Sequence, residues 1–75
     1  MSEKLPSLTP KKVIRVFEQA GFVVWRQRGS HVVMVNEDLN KQLIIPFHRK
    51  DIKKGLLSAL IKQAGLSIQE FKALI

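Results

Sequence analysis

The sequence predicts an α+β domain in which one helix precedes three antiparallel strands and two further helices follow them. Apolar residues repeat at helical spacing over residues 10–20 and 51–64, and two β-branched segments joined through a glycine lie between residues 22 and 36. An apolar content of 45% with 25% charged residues is typical of a folded protein. Seventy-five residues allow one modest core, so we expect a single domain over residues 1–75.

The first helix is predicted to begin at Pro10, because Thr9 is a favoured N-cap residue and proline suits the first helical turn. Gly21 suits the C-terminal end of this helix. The first few residues of the chain are expected to be a frayed leader. The residues expected to face the core are Val13, Ile14, Phe17 and Ala20.

Two strands are predicted over residues 22–27 and 31–36, and a third over 43–46 after a polar turn. If Gly29 and Ser30 form a two-residue hairpin loop, Arg28 lies opposite His31 across the first two strands. Arg26, Arg28 and His31 then share one face of the sheet, because strand side chains alternate between faces. A bulge or a longer turn would change this pairing. Both faces carry valines, so the pattern leaves open which face the helices cover.

Two helices are predicted after the sheet. The first spans residues 51–64, although Gly55 weakens its first turn, and Gly65 closes it. The second is short and runs from the capping box formed by Ser67 and Glu70 to residue 75. The residues of the longer helix expected to face the core are Leu56, Leu57, Leu60, Ile61 and Ala64.

Charge is the strongest signal of the composition. Thirteen Lys and Arg against six Asp and Glu give a net charge of +7, which predicts a polyanionic partner, either nucleic acid or an acidic protein surface. The alternative is a solvated face that favours solubility. The chain has no cysteine, and neither histidine has a second ligand at metal-binding spacing, so no metal or cofactor is expected.

The predicted location is the cytoplasm. The N-terminal residues contain no apolar segment of the kind found in a signal peptide. The sequence also has no uninterrupted apolar stretch long enough to span a membrane.

His31 is the candidate catalytic residue. A general base needs a pKa near the working pH, and an imidazole has an ordinary pKa of about 6.5. In RNA the 2′-hydroxyl next to each phosphate becomes a nucleophile when its proton is removed, and Arg26 and Arg28 would stabilise charge on the phosphoryl oxygens. The alternative is a histidine that only closes the hairpin or packs against Trp25.

His48, Arg49 and Lys50 follow the third strand and form a second basic group. His48 is a candidate general acid or phosphate ligand, and Arg49 and Lys50 are candidate contacts to the RNA backbone; the alternative for His48 is a polar residue at a strand end. The aromatic residues that either stack on bases or belong to the core are Phe22, Trp25 and Phe47.

Four blocks of the chain resemble the HicA family of small toxins from prokaryotic type II toxin–antitoxin modules. The blocks are Ala20-Gly21-Phe22, Arg26-Gln27-Arg28-Gly29-Ser30-His31, Pro46-Phe47-His48, and the segment from Lys54-Gly55-Leu56-Leu57 to Ser67. The resemblance implies a double-stranded-RNA-binding-domain-like fold, α-β-β-β-α, and a metal-independent endoribonuclease that cleaves mRNA. It also implies a HicB-type antitoxin that binds the toxin and occludes its active site.

The family's catalytic histidine falls on His31. Many members have a second histidine where this chain has Val32, and a threonine where it has Leu56. The first departure leaves His31 in place but removes a possible auxiliary donor.

The resulting hypothesis is an mRNA-cleaving toxin in which His31 abstracts the 2′-hydroxyl proton. Its expected RNA-binding residues are Arg26, Arg28, Gly29, Ser30, His48, Arg49 and Lys50. One alternative is a non-catalytic RNA-binding module of the same fold. Another is a protein whose basic face binds an acidic protein partner.

Overall fold

The computed structural model describes residues 5–48 and 50–75 and has the predicted α+β architecture. Its elements are α1 (Pro10–Gln19), β1 (Val23–Arg28), β2 (His31–Asn36), β3 (Lys41–Pro46), α2 (Lys54–Gln63) and α3 (Ile68–Ala73). The order of one helix, three antiparallel strands and two helices is confirmed. No helix in the described part of the chain is long and apolar enough to cross a membrane.

The helices begin where local chemistry favours them. Thr9 caps α1 by accepting a hydrogen bond from the backbone N–H of Lys12, and Pro10 lies in the first turn, as predicted. Ser67 and Glu70 form the predicted capping box at α3, in which each side chain accepts a hydrogen bond from the other residue's backbone N–H.

The three strands form one antiparallel sheet in the order β1-β2-β3, with β2 in the centre. Val32 and Met34 of β2 lie opposite Ile45 and Leu43 of β3, and all four side chains are buried. They belong to a single core cluster with the apolar faces of the helices: α1 and α2 pack on this face of the sheet, and α3 packs against α2 and Phe17. The helical residues buried in that cluster are Val13, Val16, Phe17, Leu57, Leu60, Ile61 and Phe71.

Phe17 is the centre of an aromatic cluster that joins α1 to the sheet and to α3. Its ring centroid lies 5.8 Å from that of Phe22 in an edge-on arrangement and 5.3 Å from that of Phe71. We expect Phe17→Ala to lower the free energy of unfolding by about 3–5 kcal/mol, because it leaves a large cavity and removes both ring contacts. Urea unfolding tests this, and Leu39→Ala, which truncates a half-exposed turn residue, is the control and should change the stability little.

Three expectations about the edges of the core were wrong. Leu5 belongs to the core, whereas residues 1–4, the rest of the expected leader, lie outside the described residues. The long C-terminal helix begins at Lys54 instead of residue 51, because Ile52 is held in an extended bridge in which its N–H donates to the carbonyl of Leu8 over 2.9 Å. Leu56 is 41% exposed, since it lies in the first turn of α2, at the edge of the buried stripe.

Candidate active site

The hairpin between β1 and β2 is built on Gly29 and Ser30. Gly29 has φ +60°, whereas Ser30 has no positive φ, and these signs are those of a type II′ turn with glycine in its first central position. The side-chain amide of Gln27 donates to the Gly29 carbonyl over 3.0 Å. The chain therefore reverses in two residues, as predicted, and the turn fixes the register of both strands.

The register places Arg28 directly opposite His31 and Arg26 opposite Val33. Directly opposed side chains in an antiparallel pair have Cβ atoms about 4.5–5.5 Å apart, and the next residue on the same face is about 7 Å further along the strand. The predicted grouping of Arg26, Arg28 and His31 on one face is confirmed, and all three side chains are exposed.

The structure also decides which face of the sheet is covered. Val32 and Met34 point to the helices, so His31, Val33 and Val35 point to the opposite face, which we call the open face. Val33 is buried on this open face because Arg26 and Ile44 flank it across the neighbouring strands, and it does not belong to the core cluster. The imidazole and the two guanidinium groups thus lie where a large ligand has access.

A β-bulge in β1 changes the position of Trp25. The pairing shifts between Val24, opposite Met34, and Arg26, opposite Val33, which leaves Trp25 as the extra residue. The guanidinium carbon of Arg26 lies 5.1 Å from the centre of the indole ring, and Trp25 is 60% exposed. Trp25 therefore joins Arg26 on the open face. Of the three aromatic candidates for base stacking, Phe22 is buried in the core, whereas Trp25 and Phe47 are exposed.

The chain returns to the hairpin at the end of β3. Pro46 pairs with His31, and the N–H of Phe47 donates to the Ser30 carbonyl over 2.6 Å. His48 follows immediately and is exposed, so both histidines lie at the same end of the sheet.

A mainly apolar groove of about 630 Å³ begins beside this end of the sheet. It is lined by Pro46, His48, Lys50, Asp51, Ile52, Lys53 and Leu56. Two of the sequence-predicted binding residues, His48 and Lys50, therefore share one groove next to the hairpin. Arg49, the remaining predicted binding residue, lies outside the described residues.

Within residues 5–48 and 50–75, no group of three or more His, Cys, Asp or Glu side chains is placed to hold a metal ion. The groups that the structure brings together at the hairpin are an imidazole, two guanidinium groups and a serine hydroxyl. Such groups can accept a proton and bind an anion.

Replacement of Gly29 by alanine should strain the hairpin. A Cβ at this position would meet no neighbouring atom, so the cost comes from the left-handed backbone alone, about 1–2 kcal/mol. The matched control is Gly55→Ala in the first turn of α2, where a Cβ is also free of contacts but φ is not positive. We expect Gly55→Ala to be neutral or stabilising by about 0.5 kcal/mol. Urea unfolding of both variants tests the difference, and equal stabilities would contradict the assigned turn.

The fold and the site define a small basic α+β protein with an exposed imidazole and two guanidinium groups on its uncovered sheet face. A family model described as the HicA toxin of bacterial toxin–antitoxin systems matches residues 10–66, and the chain belongs to this family. Membership implies a toxin that has an antitoxin partner. No curated protein matches the chain in a sequence search.

Proposed function

We propose that this protein is the toxin of a type II toxin–antitoxin pair and acts as a metal-independent endoribonuclease on mRNA. The observation that supports this most strongly is the pairing of Arg28 with His31 on the open face, with Arg26 one position further along. A proton acceptor and two anion-binding groups lie within reach of one phosphate of an RNA strand. The net charge of +7 supports a polyanionic substrate.

In the proposed reaction the imidazole of His31 takes the proton of a ribose 2′-hydroxyl. The 2′-oxygen forms a bond to the adjacent phosphorus, and the bond from phosphorus to the 5′-oxygen of the next nucleotide breaks. Arg26 and Arg28 hold the phosphoryl oxygens, where negative charge increases in the transition state, and the Ser30 hydroxyl donates to the same phosphate. The products are a 2′,3′-cyclic phosphate and a 5′-hydroxyl end.

The direct test is incubation of purified, antitoxin-free protein with single-stranded RNA in the presence of EDTA. We expect cleavage with cyclic-phosphate ends. Binding that falls steeply with salt while the RNA stays intact would instead identify a non-catalytic RNA-binding module. Failure to bind RNA, together with tight binding of an acidic small protein, would instead identify a protein whose basic face only binds an acidic protein partner.

His48 is proposed to protonate the departing 5′-oxygen, because the hydrogen bond between Phe47 and Ser30 brings the start of its segment against the hairpin. We expect His48→Ala to slow cleavage of ordinary RNA about 100-fold or more. The same variant should cleave an RNA with a 5′-bridging sulfur at nearly the wild-type rate, since a thiolate leaves without protonation.

His31→Ala is the matched control for this substrate, because the loss of a general base is not repaired by a better leaving group. An equal defect of His48→Ala on both substrates would show that His48 only binds RNA.

A further inference from the structure

We propose that Trp25 is a stacking platform for one nucleobase of a single-stranded RNA, beside the phosphate held by Arg26 and Arg28. The ligand class rests on the proposed function. The sequence left open whether Trp25 stacks on bases or belongs to the core, and Trp25 reaches the open face only because of the bulge in β1.

The indole lies close to the proposed catalytic residues Arg28 and His31. The bulge at Trp25 and Arg26 lies two to three residues along β1 from Arg28, which pairs with His31. At roughly 3.3 Å per residue this is about 7–10 Å, a distance suited to the base of a nucleotide next to the reacting one.

The groups around the ring suit an RNA strand. The guanidinium carbon of Arg26 lies over the indole ring, 5.1 Å from its centroid, which orients the ring and places a cation beside it. A strand of RNA alternates phosphates with aromatic bases, and a tryptophan next to two arginines offers partners for both. Stacking accepts every base, because each base has a π-face.

Trp25 borders a groove that could receive a base. It has a volume of about 520 Å³ and is lined by Trp25, Val35, Asn36, Glu37, Asn40, Lys41 and Gln42. The side-chain amides of Asn40 and Gln42 are exposed and carry both donors and acceptors, which suits the hydrogen-bonding edge of a base. A base offers hydrogen-bond partners to these amides, whereas an apolar side chain of a protein partner offers none, so the groove favours a base.

Fluorescence gives a direct test, because Trp25 is the only tryptophan and the chain has no tyrosine. The full chain is titrated with a single-stranded RNA that carries 2′-O-methyl groups throughout and cannot be cleaved. We expect saturable quenching of the indole emission at the same concentrations at which anisotropy of a labelled RNA reports binding. Binding without any change in emission would overturn the proposal.

A double-mutant cycle, in which one base of the RNA and Trp25 of the protein are changed separately and together, then separates stacking from other effects. Removing one base of the RNA to leave an abasic site should weaken binding to the wild type about 5- to 150-fold at a single position, and should have no such effect on Trp25→Ala. Trp25→Phe should retain most of the affinity, whereas Trp25→Leu, which keeps apolar bulk without a π-face, should lose it. Ile75→Ala, which truncates an exposed apolar residue beyond α3, is the control.

These outcomes separate the stacking role from the nuclease proposal. If the wild type binds the RNA but does not cleave its unmethylated form, the proposed activity fails, and the fluorescence and abasic results still decide the role of Trp25. If Trp25→Leu binds RNA as the wild type does but loses affinity for the antitoxin, Trp25 is a protein contact. The stacking proposal is then wrong although the nuclease proposal stands.

Discussion

His31→Ala is expected to lower the rate of RNA cleavage by about 10²- to 10⁴-fold, the range that general-base catalysis contributes. The fold should not change, because the side chain is exposed on the open face and belongs to no part of the core. The measurement is cleavage of a labelled RNA in EDTA under single-turnover conditions, with circular dichroism to verify the fold.

Two controls make this result specific to the imidazole. Gln69→Ala removes an exposed polar side chain from α3 on the helical side of the molecule and should cleave as the wild type does. Imidazole added to the buffer should restore part of the activity of His31→Ala, since the small base can occupy the vacated space. If His31→Ala cleaves RNA at the wild-type rate, His31 has no catalytic role.

Arg28→Glu is expected to weaken RNA binding about tenfold or more and to abolish measurable cleavage. A charge pair at 4 Å is worth about 1 kcal/mol in bulk water and several times that near a protein surface, and the substitution converts attraction into repulsion. Arg28 lies opposite His31, so the repulsion acts at the reacting phosphate itself.

Lys62→Glu is the matched control, because it lowers the net charge of +7 by the same two units. Lys62 is exposed at the C-terminal end of α2, on the helical side of the sheet. We expect it to change RNA affinity less than threefold at 0.15 M salt, where charges more than about 8 Å away are screened. An equal effect of the two substitutions would indicate that RNA affinity depends only on the net charge of the protein.

The sequence predicted the architecture and the pairing at the hairpin because both depend on local chemistry. Helix α1 follows from Thr9 and Pro10, and the pairing of β1 with β2 next to the hairpin follows from the positive φ that Gly29 supplies. A two-residue loop places the residues on either side of it, Arg28 and His31, directly opposite each other. No long-range information is needed for these features.

The covered face of the sheet could not be predicted, because β2 carries apolar residues on both sides. Val32 and Met34 face the helices, whereas Val33 and Val35 face the open side, and their side chains differ too little to show the difference. The choice depends on how the helices fit against the whole sheet. That choice decides whether His31 is accessible.

The bulge at Trp25 and the start of α2 could not be predicted from the sequence either. Strict alternation from Arg26 would have placed Trp25 on the helical face, and no residue type in β1 marks the extra position. The late start of α2 depends on the bridge between Leu8 and Ile52, two residues far apart in the chain. Both features come from tertiary contacts that override local patterns.

RNA is proposed to bind to the open face of the sheet, and amide chemical-shift mapping is the direct test of this binding site. Isotope-labelled protein is titrated with single-stranded RNA made uncleavable by 2′-O-methyl groups, and shifts are followed for every backbone N–H. We predict that the largest changes occur from Trp25 to His31 and at His48. Changes confined to the exposed faces of α1 and α2, with the hairpin unaffected, would contradict binding at the open face.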